Sequence, residues 1–227
     1  MQLFLELRFF ESTIISVALM PDRFIYLLVF YPVLLFSLSC HEAAHGWMAN
    51  KFGDPTAKMM GRITLNPLPH LDIIGTVVLP IFAILSGAPL IGWGKPVPVN
   101  PYNLRNPRKD EFWIASFGPL SNLIIALLFA SVGRFIGMLD SQTAAFLFMA
   151  CYIGVRLNLA LAVFNLIPLY PLDGGGVIRG LLPERYLTTY DNFARQWMFL
   201  LLILFATGLL RFIFIPVQIA ANFLLPI

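Results

Sequence analysis

The chain has 227 residues, of which 59% are hydrophobic and 12% charged, about half the charged fraction of an ordinary soluble domain. That balance excludes a water-soluble globular fold and points to a polytopic membrane protein. The formal charge of +3 does not signal nucleic-acid binding: Lys and Arg are dispersed without an RNA- or DNA-binding motif, so they read as determinants of membrane orientation.

Residues 1–20 carry Glu6, Arg8 and Glu11, lack a basic start and show no small-residue cleavage site. They read as an interfacial helix rather than a removable signal. Pro21-Asp22 then opens a long apolar helix over about 24–50, with Asp22 as its cap, and Gly53-Asp54-Pro55 closes it. Residues 56–70 hold Lys58, Arg62, Asn66, Pro67 and Pro69 and read as a loop or short strand region around Gly61-Arg-Ile-Thr-Leu65. Residues 71–91 are apolar but interrupted by Pro80 and Gly87-Ala88-Pro89, and 92–111 are proline-rich and basic, with Val97 and Val99 alternating with prolines as an extended edge. The run 112–136 is long enough to cross the hydrocarbon core. A second full span over 143–168 contains Arg156, a polar loop with Asp173 follows over 169–195, and 196–216 is a last span. The expected fold is all-α, with three core spans, a re-entrant hairpin with short edge strands, and a C-terminal span in a single domain over 1–227.

The chemistry begins inside the first span. His41, Glu42 and His45 form HEAAH, and residues four apart share one helical face, so both imidazoles can reach one Zn²⁺ with Glu42 beside them. Zinc lowers the pKa of bound water to about 7, and an adjacent carboxylate can take the proton. A chance HExxH on a core helix is the bland alternative. In lipid it is weakened, because two imidazoles and a carboxylate are costly there unless something coordinates them. A catalytic zinc site takes a third protein ligand, and Asp173, after Pro168 and Pro171 and before Gly174, Gly175 and Gly176, is the best candidate. Alone it would read as an Asp-Gly turn at the membrane surface. Cys40 and Cys151 give no disulfide framework, and Cys40, about 100° around the helix from His41, is assigned to packing.

These residues resemble the site-2 proteases, the intramembrane zinc metalloproteases. The resemblance rests on HEAAH in the first span, Gly118-Pro119-Leu120-Ser121-Asn122 in the middle span, and Asn165-Leu-Ile-Pro168 leading into Leu172-Asp173-Gly174. It implies one Zn²⁺ per chain held by His41, His45 and Asp173, Glu42 as general base, and Asn165 against the scissile peptide or its oxyanion. The chain looks like the compact branch without PDZ or CBS domains. The resemblance further implies a membrane-protein substrate with a transmembrane segment, cleaved in regulated intramembrane proteolysis; it leaves oligomerisation open.

Topology follows from the chemistry. If 71–91 crossed the bilayer fully, His45 and Asp173 would open on opposite faces, so the segment is expected to be re-entrant. One face then collects Lys51, Lys58, Arg62, Lys95, Arg105, Arg108, Lys109, Arg179, Arg185 and Arg195, ten of the 15 basic residues. That makes the catalytic side cytoplasmic in a multi-pass protein of the cell membrane. Asn122 reads either as a helix–helix hydrogen bonder or as a residue orienting the site. Arg156 requires a partner such as Asp140, a carbonyl or water. His70, beside Asp72, reads as a solvated loop residue or a fourth ligand. Two rival functions are a catalytically silent membrane scaffold or chaperone that keeps a structural zinc, and a zinc transporter. Glu42 opposes the first, since a structural site needs no base, and a single cluster opposes the second.

Overall fold

The computed structural model describes residues 23–86 and 92–226. The expected interfacial helix over 1–20 and the Gly87-Ala88-Pro89 interruption lie outside the described residues.

Helix α1 (Arg23–Lys51) carries the HEAAH stretch in its C-terminal half, with Pro32 in its interior. It ends as expected, with Lys51 in the last turn and Gly53 at φ 109 just beyond. The basic side chain suits the negative end of the helix, and glycine alone takes that backbone angle readily. A short helix α2 (Thr56–Met59) and a 3₁₀ turn (Leu68–His70) follow.

Next comes a π-helical turn (Ile73–Val78) running directly into α3 (Leu79–Ser86). Asp72 Oδ1 starts it by accepting from the Ile74 and Gly75 amides at 3.0 and 2.7 Å. The wide turn has a cause in Pro80, which has no N–H to give the carbonyl four residues earlier and crowds it. Trp93 donates its amide to Gly75 O at 3.1 Å, and Lys95 donates to His70 O at 2.9 Å.

The hairpin and edge strands expected here need correction. Residues 73–86 are one helical piece, and no strand is present among the described residues, neither around residues 61–65 nor at 97–99. The segment 92–100 is extended but cannot build a ladder. Pro96 and Pro98 lack donors, the Val97 amide goes to the Glu42 carboxylate at 2.7 Å, and the Asn100 amide goes to Asp54 Oδ2 at 2.7 Å.

Helix α4 (Pro107–Ile136) begins on proline at its first position, and α5 (Gln142–Asn165) is capped by Ser141 Oγ, which accepts from the Ala144 amide at 3.0 Å. Both match the expected spans. The region expected as a polar loop is instead mostly helical, with α6 (Asp173–Leu181) and then α7 (Glu184–Ala206). Over the expected span 196–216 the helix is interrupted. Helix α7 stops at Ala206, Gly208 takes the left-handed conformation at φ 71, and a 3₁₀ turn (Leu209–Phe214) leads into α8 (Ile215–Leu224). A left-handed glycine just past the last turn is a helix stop. Among the described residues, α1 from Tyr26, α4 and α5 are long and apolar enough to cross a membrane.

The helices approach closely through small residues. Ala126 and Ala130 of α4, Cys151 and Val155 of α5, and Val217 and Ala221 of α8 share one core. A second joins Val29, Phe30 and Leu34 of α1 to Ile153 of α5. Without a hydrophobic drive between helices in lipid, such close packing is what holds them together.

Candidate metal centre

His41 and His45 project from one face of α1 toward α4 and α6. Their Nε2 atoms lie 3.1 Å apart, and Asp173 completes a triangle, with Oδ2 at 3.2 Å from His41 Nε2 and Oδ1 at 3.3 Å from His45 Nε2. What these atoms carry is fixed by the far side of each ring. His45 Nδ1 meets the Ile114 carbonyl at 2.7 Å, which can only accept, so Nδ1 holds the proton and Nε2 turns a lone pair inward.

His41 is fixed by a longer relay. Its Nδ1 meets Asn122 Oδ1 at 2.6 Å, the Asn122 amide donates to Asn158 Oδ1 at 2.9 Å, and the Asn158 amide donates to Ser37 Oγ at 2.9 Å and Gly154 O at 2.9 Å. Ser37 Oγ in turn donates to Val33 O at 2.7 Å. Every donor has an acceptor only if Asn122 presents its oxygen to His41, which sets the tautomer. Asn122, Asn158 and Ser37 are each fully buried, where a partly satisfied network would be costly. Outer partners of this kind orient metal-ligating imidazoles.

Three lone-pair atoms therefore converge with no proton between them, and Asp173 Oδ2 is buried without a hydrogen-bond partner. The residues fit a zinc ion: bond lengths of about 2.0–2.1 Å in a tetrahedron put neighbouring ligand atoms about 3.3 Å apart. Among the described residues this is the group of His, Cys, Asp and Glu whose ligand atoms gather closely enough for a metal.

The surroundings explain how a helix bearing two histidines fits so closely. A Cβ on Gly118 would meet His45 Cε1 at 2.5 Å and His41 Cε1 at 2.7 Å, so glycine opens the face of α4 that receives both rings. Pro119, lacking an N–H and crowding the carbonyl four residues earlier, loosens α4 just beyond Ile114. Asp173 is brought in as the first residue of α6. That helix is anchored by Arg179, which pairs with Glu111 of α4 and with Asp191 of α7 at 2.9 Å, and by Tyr190 Oη, which donates to Gly175 O at 2.7 Å. A Cβ on Gly180 would lie 2.6 Å from Phe112 Cβ, so α6 packs directly on α4.

YwhC of Bacillus subtilis (strain 168), named as a zinc metalloprotease, is 37% identical over 212 residues, which is 86% of this chain and 90% of that protein. The chain belongs to peptidase family M50. The profile of that family, the site-2 proteases, matches residues 129–207. Two further zinc metalloproteases by name are similar: Rip2 of Mycolicibacterium smegmatis (strain ATCC 700084 / mc(2)155), at 32% identity, and MJ0392 of Methanocaldococcus jannaschii, at 26%. Their matches cover 74% and 78% of this chain but only 62% and 41% of those proteins. No solved structure matches the chain. The protein is thus a zinc metalloprotease, and His41, His45 and Asp173 are the side chains that fit its metal.

The remaining expected residues fall in different places. Glu42 is half-buried beside the histidines, with Oε2 accepting from the Val97 amide. Asn165, at the end of α5, donates Nδ2 to Leu161 O at 3.0 Å in its own helix. His70 is buried at 2% exposure, outside the metal group, with Nε2 at 3.0 Å from Thr64 O, which corrects both its reading as a solvated residue and its reading as a fourth ligand. Arg156 donates to Tyr152 Oη at 3.0 Å, one turn earlier in α5, rather than to Asp140. Sequence reasoning missed Ser37, Asn158 and Arg62. Ser37 lies four residues before His41 on the same helical face, and Asn158 is an asparagine in mid-span, so both left a signal.

Proposed function

We propose that this zinc metalloprotease hydrolyses a peptide bond within or next to a transmembrane segment of a membrane-protein substrate, with Glu42 as general base. The observation that carries the reading is the convergence of His41, His45 and Asp173 lone pairs beside Glu42 on a helix that is itself long and apolar enough to span a membrane. Bound zinc supplies Lewis acidity, which lowers the pKa of water to about 7 and polarises a carbonyl. Glu42 holds its carboxylate at the same site and takes the proton of the attacking water, later passing it to the leaving amine. Asn165 has a second amide proton to offer the substrate carbonyl as its charge grows.

The site opens toward the cytoplasm in a multi-pass protein of the cell membrane, built as one peptidase domain. This reading is supported by the basic residues that follow the helix carrying His45 and accompany the helix carrying Asp173, among them Lys51, Lys58, Arg179 and Arg185. The scaffold reading is disfavoured by Glu42, since a structural zinc site needs no base.

The test separates metal from chemistry. Wild-type protein is expected to hold about one zinc per chain, and Asp173→Ala to lose most of it. Glu42→Gln keeps the fold and the zinc, while cleavage of a membrane-protein reporter falls by about 10² to 10⁴. Wild-type cleavage by Glu42→Gln sinks the base assignment, and full zinc retention in Asp173→Ala removes that ligand.

A further inference from the structure

Arg62 is 5% exposed, an unusual depth for a guanidinium. Among the described residues no carboxylate lies within ion-pair distance of it. Its Nη2 instead donates to two consecutive backbone carbonyls, Lys95 O at 2.6 Å and Pro96 O at 3.3 Å. The next residue along is Val97, whose amide donates to Glu42 Oε2 at 2.7 Å.

Val97 is fixed from several sides. Its side chain fits the notch left by Gly46, one turn after Glu42 on α1, where a Cβ would stand 3.1 Å from Val97 Cγ1. The strap it belongs to is held upstream by Lys95 N–H on His70 O at 2.9 Å, and downstream by Asn100 N–H on Asp54 Oδ2 at 2.7 Å. Between those ties, Val97 stands between two prolines that have no N–H, its own amide is the one that meets the carboxylate, and Arg62 grips the two carbonyls before it.

We infer that Arg62 is a positioning residue for peptide hydrolysis: it places the Val97 N–H, which binds Glu42 Oε2 and leaves Oε1 to take the proton from water. This rests on Glu42 being the general base. A carboxylate tethered through one oxygen by a backbone amide cannot swing away, and its free oxygen is presented in one orientation. Arg62 touches neither substrate nor metal in this role. Its loss therefore slows the chemical step and leaves ground-state binding and zinc in place.

The experiment uses the full chain in dodecylmaltoside with the best-cleaved member of a library of dye–quencher peptides that have an apolar core. Four proteins are compared with wild type: Arg62→Gln, Arg62→Lys, a Val97 backbone ester that replaces the amide N–H by oxygen, and Glu42→Gln. Zinc per chain and hydrogen exchange of the Val97 amide are read alongside kcat and KM. Arg62→Gln is expected to keep its zinc and its KM within about threefold, to lose about 10- to 100-fold in kcat, and to exchange Val97 N–H faster. Arg62→Lys restores part of kcat. The ester reproduces the loss with Arg62 intact, and combining it with Arg62→Gln adds no further loss. If Arg62→Gln does not fold, the ester decides alone: a loss in kcat supports the role and wild-type kcat overturns it. Multiplicative losses in the combined variant also overturn it. If Glu42→Gln is inactive while Arg62→Gln and the ester turn over normally, the base stands and the positioning role alone fails. If Glu42→Gln is fully active, both fail.

Discussion

Replacing Gly118 by alanine adds one methyl group at the centre of the site and removes no ligand. That carbon would meet His45 Cε1 at 2.5 Å and His41 Cε1 at 2.7 Å, and would lie closer still to His45 Nε2. Carbon contacts become comfortable only from about 3.5 Å, so at least one imidazole must retreat by about 1 Å. Metal coordination tolerates about 0.2 Å. Retreat also breaks a tie, either His41 to Asn122 at 2.6 Å or His45 to Ile114 O at 2.7 Å. The purified variant is expected to hold well under half of the wild-type zinc by elemental mass spectrometry. Its cleavage should fall by at least about 10²-fold, the cost of a 1 Å misplacement. Gly94→Ala is the control, since its new carbon would meet His70 O at 3.6 Å and Glu42 Oε1 at 3.9 Å, ordinary distances that leave zinc bound. A Gly118→Ala protein with stoichiometric zinc and wild-type cleavage would refute the reasoning.

Asn122→Ala strands His41 Nδ1 and is expected to weaken zinc binding by about 10- to 100-fold, read by competition with a chelator of known affinity; unchanged affinity would reduce the relay to packing. Asp54 lies buried where its carboxylate accepts from Thr56 N, Asn100 N and Asn103 Nδ2 at 3.1, 2.7 and 2.9 Å. Burial alone would raise its pKa, but those hydrogen bonds bring it below the ordinary value. The folded pKa is thus the lower one, so its stabilisation is fully present above about pH 4 and lost as pH falls through the folded value. Asp54→Asn is expected to cost about 1.5–3 kcal/mol at pH 7, with the gap to wild type narrowing as pH falls below about 4 in unfolding curves; a constant gap contradicts the linkage. For topology, Lys58, Arg105, Glu184 and Asp140 are all exposed. As single cysteines in a Cys40→Ser, Cys151→Ser background, the first three should resist an impermeant thiol reagent on intact cells while Asp140→Cys labels; labelling of positions 58 and 105 from opposite sides would mean that the segment between them crosses the bilayer, and would refute a shared cytoplasmic side.

The three side chains that fit a metal were legible in the sequence. His41 and His45 are one helical turn apart, and Asp173 was the acidic residue placed after the third core span. The relay behind His41 was only half legible: Asn122 stood out beside Gly118-Pro119, but its bonds to Asn158 and Ser37 join three helices and exist only once those helices pack. The helix over 173–181 was hidden by three consecutive glycines, which read as a turn by propensity. They sit in a helix because their small size permits close approach: a Cβ on Gly176 would meet Ala115 Cβ of α4 at 3.0 Å, and one on Gly175 would meet Tyr170 N at 3.1 Å. The edge strand at 97–99 failed for the opposite reason. Its alternation was real, but a side chain on α1 claimed the amide that a ladder would have used.

That claimed amide restricts how the segment around it can change over evolution. In Lys95-Pro96-Val97-Pro98-Val99, residues with and without a backbone proton alternate, so the contact with Glu42 has a parity. Counted from the tie at Lys95, removing Pro96 alone would bring the nitrogen of Pro98 to Glu42, and removing the Pro96-Val97 pair would bring the amide of Val99 there. Insertions and deletions between Lys95 and the valine that meets Glu42 should therefore come in twos among functional descendants, although the exposed side chain of Lys95 faces no such rule on identity.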